Sequence, residues 1–157
     1  MQIVFLVVGK TNDKYLMDGI AEYEKRLKRY IPFKQEVIPE IKRNKGLAEN
    51  ELKTKEGNEI LGKLQNGDFV VLLDENGKSF GSVAFAKHLQ KRMNGGYKRI
   101  VFVVGGPYGF SPEVYNRANE KLSLSAMTFS HQMVRLFFTE QIYRAFTILR
   151  NEPYHHQ

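Results

Sequence analysis

Cysteine is absent from the 157-residue chain, and its absence excludes several kinds of chemistry. Disulfide bonds, thiolate nucleophiles and cysteine-ligated metal centres all require a thiol. The histidines do not replace it, because His88, His131, His155 and His156 lack the spacing of a metal-binding motif such as H-E-x-x-H. We therefore expect no metal. The composition is compatible with a reducing cytoplasm, where we expect the protein to act.

Hydrophobic runs long enough to cross a membrane are also absent. The apolar opening at residues 3–8 is too short to span a bilayer. It has neither the preceding basic segment nor the cleavage site that is typical of a signal peptide. We interpret this opening as a buried strand, and we expect no membrane-spanning segment in the protein.

Acidic residues are too few to balance the basic ones, since 17 Asp and Glu stand against 24 Lys and Arg and give a formal net charge of +7. Such an excess favours a polyanionic partner, because cations placed against phosphates release condensed counterions. Nucleic acid is the first expectation and an anionic membrane surface the second. A solvated basic surface without a partner is the alternative.

Predicted strands alternate with predicted helices along the chain, without an internal repeat, a low-complexity tract or a linker. This alternation predicts a single α/β domain over residues 1–157, in which a doubly wound parallel sheet carries helices on both faces. Apolar, β-branched runs predict the strands. These runs lie at residues 2–8, 33–38, 69–73, 100–104 and 122–124.

The segments between these strands have apolar residues at helical spacing. Asp13, Ser82, Ser111 and Ser130 stand where these helices begin, so we predict them as N-caps. Residues 39–50 are polar and charged with little to bury, and we predict a mobile loop there.

Three loops follow predicted strands, at residues 73–77, 105–109 and 124–129. Because the carboxyl ends of parallel strands lie at one edge of a sheet, we expect these loops to meet and to form the ligand site. The glycine-rich loop matches neither the phosphate-binding nor the dinucleotide motif, which weighs against an ATPase or a dehydrogenase. Its amides would suit an adenosine-like ligand, and a plain glycine-rich turn is the alternative.

The third loop mixes apolar Leu124, Met127 and Phe129 with Ser125 and Thr128 and has no helical or strand period. We predict that it is buried but irregular. The backbone amides and carbonyls of a buried, irregular segment need hydrogen-bond partners, and the edge of an adenine base is a suitable one. Simple packing of the segment in the core is the alternative. Ser125 lacks the flanking glycines of a nucleophile elbow, so a hydrolase is not expected.

The C-terminal stretch combines cations, a stacking ring and a titratable group in Arg144, Arg150, Tyr154 and His155. A frayed, solvated end is the alternative interpretation.

Ten short motifs along the chain carry a resemblance to a known family: Val8-Gly9-Lys10, Glu22-Tyr23-Glu24-Lys25-Arg26, Lys55-Glu56-Gly57, Leu73-Asp74, Gly77-Lys78, Gly105-Gly106-Pro107, Leu122-Ser123-Leu124-Ser125-Ala126-Met127-Thr128, His131-Gln132-Met133-Val134-Arg135, Tyr143-Arg144-Ala145 and Pro153-Tyr154-His155. With these motifs the chain resembles the small SPOUT-class methyltransferases of the ribosomal large-subunit methyltransferase H family. The resemblance covers essentially the whole chain.

The resemblance implies an α/β fold with a C-terminal trefoil knot and a methyl transfer from S-adenosylmethionine to N3 of a pseudouridine in large-subunit (23S) ribosomal RNA. The assembled ribosome is the expected substrate, and neither a membrane nor a metal is implied. It also implies a homodimer in which the partner chain completes the cofactor pocket. The cofactor contacts that it implies are Leu73, Gly105, Leu124, Ser125, Ala126, Met127, Thr128 and Phe129. The catalytic, substrate-facing residues that it implies are Arg144, Tyr154 and His155.

The chain departs from the family pattern at few positions. Ser130 stands where members of the family usually have a proline, His156 where Lys or Arg is expected, and Asn76 where Pro or Gln is more frequent. Two other functions compete with the methyltransferase: a nucleotide-dependent α/β enzyme of another class, and a ribosome-binding protein without catalysis.

Overall fold

A five-stranded parallel sheet forms the centre of the molecule, as a computed structural model shows for residues 1–42 and 47–156. Residues 43–46, which belong to the predicted mobile loop, lie outside the described residues, as does residue 157. The strands are β1 (Gln2–Val8), β2 (Phe33–Ile38), β3 (Phe69–Ser79), β4 (Arg99–Val104) and β5 (Glu120–Ser123). Their order in the sheet is β2-β1-β4-β3-β5, and every neighbouring pair is parallel.

Helices cover both faces of this sheet, which confirms the predicted three-layer α/β/α arrangement. The helices are α1 (Lys14–Leu27), α2 (Glu49–Lys63), α3 (Ser82–Met93), α4 (Pro112–Arg117) and α5 (Met133–Leu149). Ile3, Phe5 and Val7 of β1 belong to the core on the side of α1, α3 and α5. Val4 and Leu6 belong to the core on the side of α2 and α4, because successive side chains of a strand point to opposite faces.

Strand β3 extends beyond the range that the sequence predicted. It continues past Leu73 to Ser79, and Leu122 of β5 pairs with both Leu73 and Lys78, so the residues between these two bulge out of the ladder. Gly77 lies so close to β5 that a Cβ atom there would be 2.5 Å from the backbone nitrogen of Leu122. The predicted loop at residues 73–77 is therefore a bulge within a strand.

The predicted helix caps are confirmed in part. The hydroxyl of Ser111 accepts a hydrogen bond from the amide of Val114, as an N-cap does. Asp13 stands at the N-cap of α1, but its side chain makes no capping hydrogen bond. Ser82 is the first residue of α3 rather than its cap, since Gly81 takes that position. Gln132 takes the N-cap position of α5, but the hydroxyl of Ser130 accepts a hydrogen bond at 3.1 Å from the amide of Met133, the first residue of that helix.

The fold places the bulge of β3, the loop after β4 and the segment after β5 at the carboxyl edge of the sheet, where the ligand site was predicted. The trefoil knot stays a prediction. No helix in residues 1–42 and 47–156 is both long and apolar enough to cross a membrane.

Candidate functional site

The three predicted loops line one cavity of about 540 Å³ at the carboxyl edge of the sheet. We call it the strand-end cavity. Its volume lies within the roughly 300–1,000 Å³ that is usual for small-molecule sites. The predicted cofactor residues that line it are Leu73, Gly105, Leu124, Ser125, Met127, Thr128 and Phe129. Ala126 lies within the same segment but does not line the cavity.

Acidic side chains give the strand-end cavity its electrostatic character. Glu49, Asp74 and Glu75 line it, whereas none of the described lining residues is a lysine or an arginine. The hydroxyl of Tyr115 donates a hydrogen bond to Asp74, and burial together with this bond raises the pKa of Tyr115 to about 12. A ligand with positive charge suits this lining better than a polyphosphate does.

The segment after β5 is irregular, as predicted, but it is not buried throughout. Leu124 and Ser125 are half-buried, whereas Met127 is 76% exposed and Phe129 is 37% exposed. The prediction of a buried segment is therefore wrong for residues 126–129, because none of the residues that the structure describes covers their outer side. A local hydrogen bond stabilises the backbone instead, because the Ser125 hydroxyl accepts a hydrogen bond from the amide of Met127 at 3.0 Å.

A buried carboxylate supports the glycine-rich loop from behind. Glu56 of α2 accepts a hydrogen bond from the amide of Gly106, with 2.8 Å between nitrogen and oxygen. That amide is thus directed away from the strand-end cavity and not toward a ligand. Burial raises the pKa of Glu56, the amide of Gly106 opposes this rise, and the nearby Glu40 adds to it.

Glu56 was missed as a functional candidate, although the sequence contains a signal for it. Leu52, Glu56 and Ile60 follow one another at intervals of four residues and form one buried face of α2. An acidic residue on the apolar face of an amphipathic helix needs a partner, because burying an unpaired charge is costly.

The predicted substrate-facing residues form a cluster around one carboxylate. Arg144 donates to Oε1 of Glu140 from Nε at 3.1 Å and from Nη2 at 2.6 Å, and the hydroxyl of Tyr154 donates to the same oxygen at 2.9 Å. Nη1 of Arg144 lies 3.0 Å from Nδ1 of His155. We call Glu140, Arg144, Tyr154 and His155 the tail cluster. The alternative of a frayed, solvated end is therefore wrong for these residues.

The charges within the tail cluster are fixed by these contacts. The bonds to Glu140 raise the pKa of Arg144, so the guanidinium stays charged. Burial, followed by the hydrogen bonds to Tyr23 and Glu140, raises the pKa of Tyr154, so the phenol stays protonated. The Arg144 guanidinium carbon also lies 4.7 Å from the centroid of the Tyr154 ring and covers one of its faces.

The strand-end cavity and the tail cluster do not meet within one chain. None of Arg144, Tyr154 and His155 lines the cavity in the described part of the chain. A second cavity of about 320 Å³ lies next to it and shares Leu124 and Phe129 with it, and its lining includes Glu140.

Among the residues that the structure describes, no group of three or more histidine, aspartate or glutamate side chains is arranged to hold a metal ion. The expectation that the protein uses no metal stays a prediction.

Comparison with known proteins shows which family the whole chain matches. A family model described as "Predicted SPOUT methyltransferase" matches residues 1–155. The chain is 62% identical over 157 residues to the "Ribosomal RNA large subunit methyltransferase H" of Christiangramia forsetii, and the match covers both chains completely. Proteins of the same name from Flavobacterium johnsoniae and Parabacteroides distasonis are each 60% identical over 157 residues, again along the full length of both chains.

Proposed function

The chain belongs to the SPOUT methyltransferase family, and on this premise we propose that it methylates N3 of a pseudouridine in large-subunit ribosomal RNA with S-adenosylmethionine as the methyl donor. The name of its relatives supports the substrate class. Acting on the assembled ribosome, the enzyme would work in the cytoplasm.

The lining of the strand-end cavity is the observation that supports the cofactor most directly. S-adenosylmethionine carries a sulfonium and an ammonium group, and Glu49, Asp74 and Glu75 supply negative charge around the cavity. The segment from Leu124 to Phe129 and the loop at Gly105 offer backbone groups for the adenine and apolar side chains for its faces. Bound there, S-adenosylmethionine would supply the methyl group, and the demethylated cofactor would depart as a neutral thioether.

The tail cluster supports the chemistry on the RNA side. N3 of pseudouridine carries an imide proton that must be lost, and negative charge then develops on the flanking carbonyl oxygens. Arg144 is held charged by Glu140 and would stabilise that charge. His155 would accept the proton, directly or through water. Tyr154 would stack on the base.

A homodimer would bring these two groups together. Because the tail cluster does not line the cavity of its own chain, we propose that it faces the strand-end cavity of a second copy. Exposed apolar side chains on α1, α5 and the segment after β5 support such an interface. They are Tyr15, Met17, Met127, Phe129 and Phe137.

A surface of arginines and tyrosines beside the tail cluster supports binding of RNA. The guanidinium carbon of Arg26 lies 5.2 Å from the centroid of the Tyr23 ring, and the Tyr23 hydroxyl is 3.1 Å from that of Tyr154. Arg150 lies in the same way 5.1 Å from the centroid of Tyr30. Cations held against aromatic faces suit both phosphates and unstacked bases.

Methylation of ribosomes that lack the modification tests the proposal. We expect the purified protein with S-adenosylmethionine to convert one pseudouridine of the large subunit, detected by nucleoside mass spectrometry. Binding of the ribosome without methylation would favour a non-catalytic binding protein. Tighter binding of ATP or NAD than of S-adenosylmethionine in calorimetry would favour the other class of nucleotide-dependent enzyme.

A further inference from the structure

Glu56 lies at the boundary between two cavities, behind the loop that follows β4. The front of this loop lines the strand-end cavity, and Gly106 and Pro107 also line a cavity of about 440 Å³ on the other side. Glu56 lines that rear cavity, and its side chain is almost completely buried, with 7% exposed. Among the residues that the structure describes, the side chain of Glu56 has one hydrogen-bond partner, the amide of Gly106, which donates to it.

The contact between Glu56 and Gly106 leaves no room for a side chain at position 106 unless the Glu56 carboxylate moves. A Cβ atom built on Gly106 would lie 2.7 Å and 2.8 Å from the two carboxylate oxygens of Glu56. Such an atom would thus point toward Glu56 and away from the strand-end cavity. The position of the loop is therefore set by a carboxylate that cannot itself touch a ligand in that cavity.

We propose that Glu56 is a positioning residue for the cofactor: its carboxylate fixes the loop at Gly105 and Gly106 in the conformation that the strand-end cavity needs for S-adenosylmethionine. This role rests on the proposed function. The physical reason is that a half-buried amide without a partner is costly, and a charged acceptor binds it about twice as strongly as a neutral one does.

The charges around Glu56 indicate a function rather than a gain in stability. Glu40, Lys42, Tyr108 and His131 line the same rear cavity, and Glu40 repels the Glu56 carboxylate. None of the described ion pairs includes Glu56. Keeping this carboxylate buried thus costs folding free energy, which the bond to Gly106 only partly offsets. Glu56→Gln removes the charge and should not lower the thermal stability at neutral pH.

Calorimetry with S-adenosylmethionine on the full-length protein tests the role. We expect the dissociation constant to rise about two- to fourfold in Glu56→Gln, which keeps a neutral acceptor, and about tenfold or more in Glu56→Ala, which leaves the amide unpaired. Glu59→Gln on the exposed face of the same helix is the matched control, and its affinity should equal that of the wild type.

A double-mutant cycle separates this role from a general loss of structure. Gly106→Ala displaces the carboxylate and should weaken binding about tenfold in the wild-type background. In a Glu56→Ala background the new methyl group enters vacated space, so the same substitution should change the affinity less than about twofold. If Gly106→Ala blocked the cofactor directly, its effect would be the same in both backgrounds, and the proposed role would be wrong.

The outcomes for the two proposals differ. A wild-type protein that binds no S-adenosylmethionine overturns the proposed function and this role with it. A wild-type protein that binds the cofactor while Glu56→Ala and Glu56→Gln bind it equally well overturns the role of Glu56 alone. Affinities in the order wild type, Gln, Ala, with Glu56→Gln as stable as the wild type, support the positioning role.

Discussion

Arg144 places its Nη1 atom 3.0 Å from Nδ1 of His155. A guanidinium has hydrogen-bond donors only, so Nδ1 is the acceptor, and a neutral imidazole then carries its proton on Nε2. The lone pair that would take up a proton from the substrate is therefore directed at Arg144. For His155 to act as a base, this contact must open when the RNA base binds, which frees Nη1 of Arg144 for the developing negative charge while Nε and Nη2 stay bonded to Glu140.

Replacing His155 tests its role as the proton acceptor. In His155→Asn, the amide oxygen can still accept from Arg144, but the side chain cannot take up a proton. We expect the rate of ribosome methylation to fall by about 10²–10⁴, as for the loss of a general base, with unchanged cofactor affinity. His156→Asn is the neighbouring control and should stay within a fewfold of the wild type. Near-normal methylation by His155→Asn would show that His155 only positions the RNA.

Glu140 organises the tail cluster, since one of its oxygens accepts hydrogen bonds from both Arg144 and Tyr154. Glu140→Gln weakens these bonds because the acceptor becomes neutral, and we expect the methylation rate to fall about tenfold. Cofactor affinity, measured by calorimetry, should stay the same. Glu51→Gln on the exposed side of α2 is the control. Equal rates for all three proteins would contradict an organising role for Glu140.

The parts of the fold that the sequence predicted correctly are those that local pattern determines. Strand β1 begins and ends at the predicted residues, because its apolar, β-branched run is buried on both faces of a parallel sheet. Strand β3 was predicted to end at Leu73, because Asp-Glu-Asn-Gly is typical of a turn. Its continuation to Ser79 depends on pairing with Leu122, which lies far away in the chain.

The candidate site likewise has parts that the sequence predicted and parts that depend on contacts between distant residues. Convergence of the three loops follows from the direction of parallel strands, so the sequence predicted the strand-end cavity. Glu140 could not be identified, because a glutamate on a helix usually faces solvent, and its partner Tyr154 is positioned by the fold. The contact between the hydroxyls of Tyr23 and Tyr154 joins residues that are 131 positions apart, and no local pattern indicates it.

Phe137 tests the proposed dimer interface. Its ring is 40% exposed on α5 and lies 5.2 Å from the ring of Phe129, next to the strand-end cavity. A charge placed within an apolar interface is costly, so Phe137→Glu should give a monomer of 18.2 kDa in light scattering. Methylation should be lost with the dimer. Val37→Glu on the edge strand β2 is the control, because Val37 is 43% exposed but is not among the side chains assigned to the proposed interface. A monomeric wild type would overturn the composite site.

The buried carboxylate of Glu56 makes a prediction about stability and pH. Burial raises its pKa above the ordinary value of 4.5, so the folded protein binds its proton more tightly than the unfolded chain does. The stability that protonated Glu56 contributes is present below its ordinary pKa of 4.5 and is lost as the pH rises through its pKa in the folded protein. Urea unfolding at several pH values should thus show Glu56→Gln gaining stability relative to the wild type as the pH rises from 4 to neutrality. A constant difference would contradict the raised pKa.

Arg135 is fully buried and joins the end of β1 to the start of α5, and its removal should be among the most destabilising changes in the chain. Its guanidinium donates to the carbonyls of Val8 at 2.7 Å and Gly9 at 2.8 Å and to the hydroxyl of Thr11 at 3.1 Å. Arg135→Met fills a similar volume but leaves these acceptors without a donor, and we expect a loss of about 3 kcal/mol. Arg135→Lys can satisfy fewer of these acceptors and should lose roughly half as much stability.

Urea unfolding at one fixed protein concentration measures the stability of both variants, with Lys55→Met on the exposed face of α2 as the control. A loss below about 1 kcal/mol in Arg135→Met would mean that water replaces the guanidinium at these carbonyls.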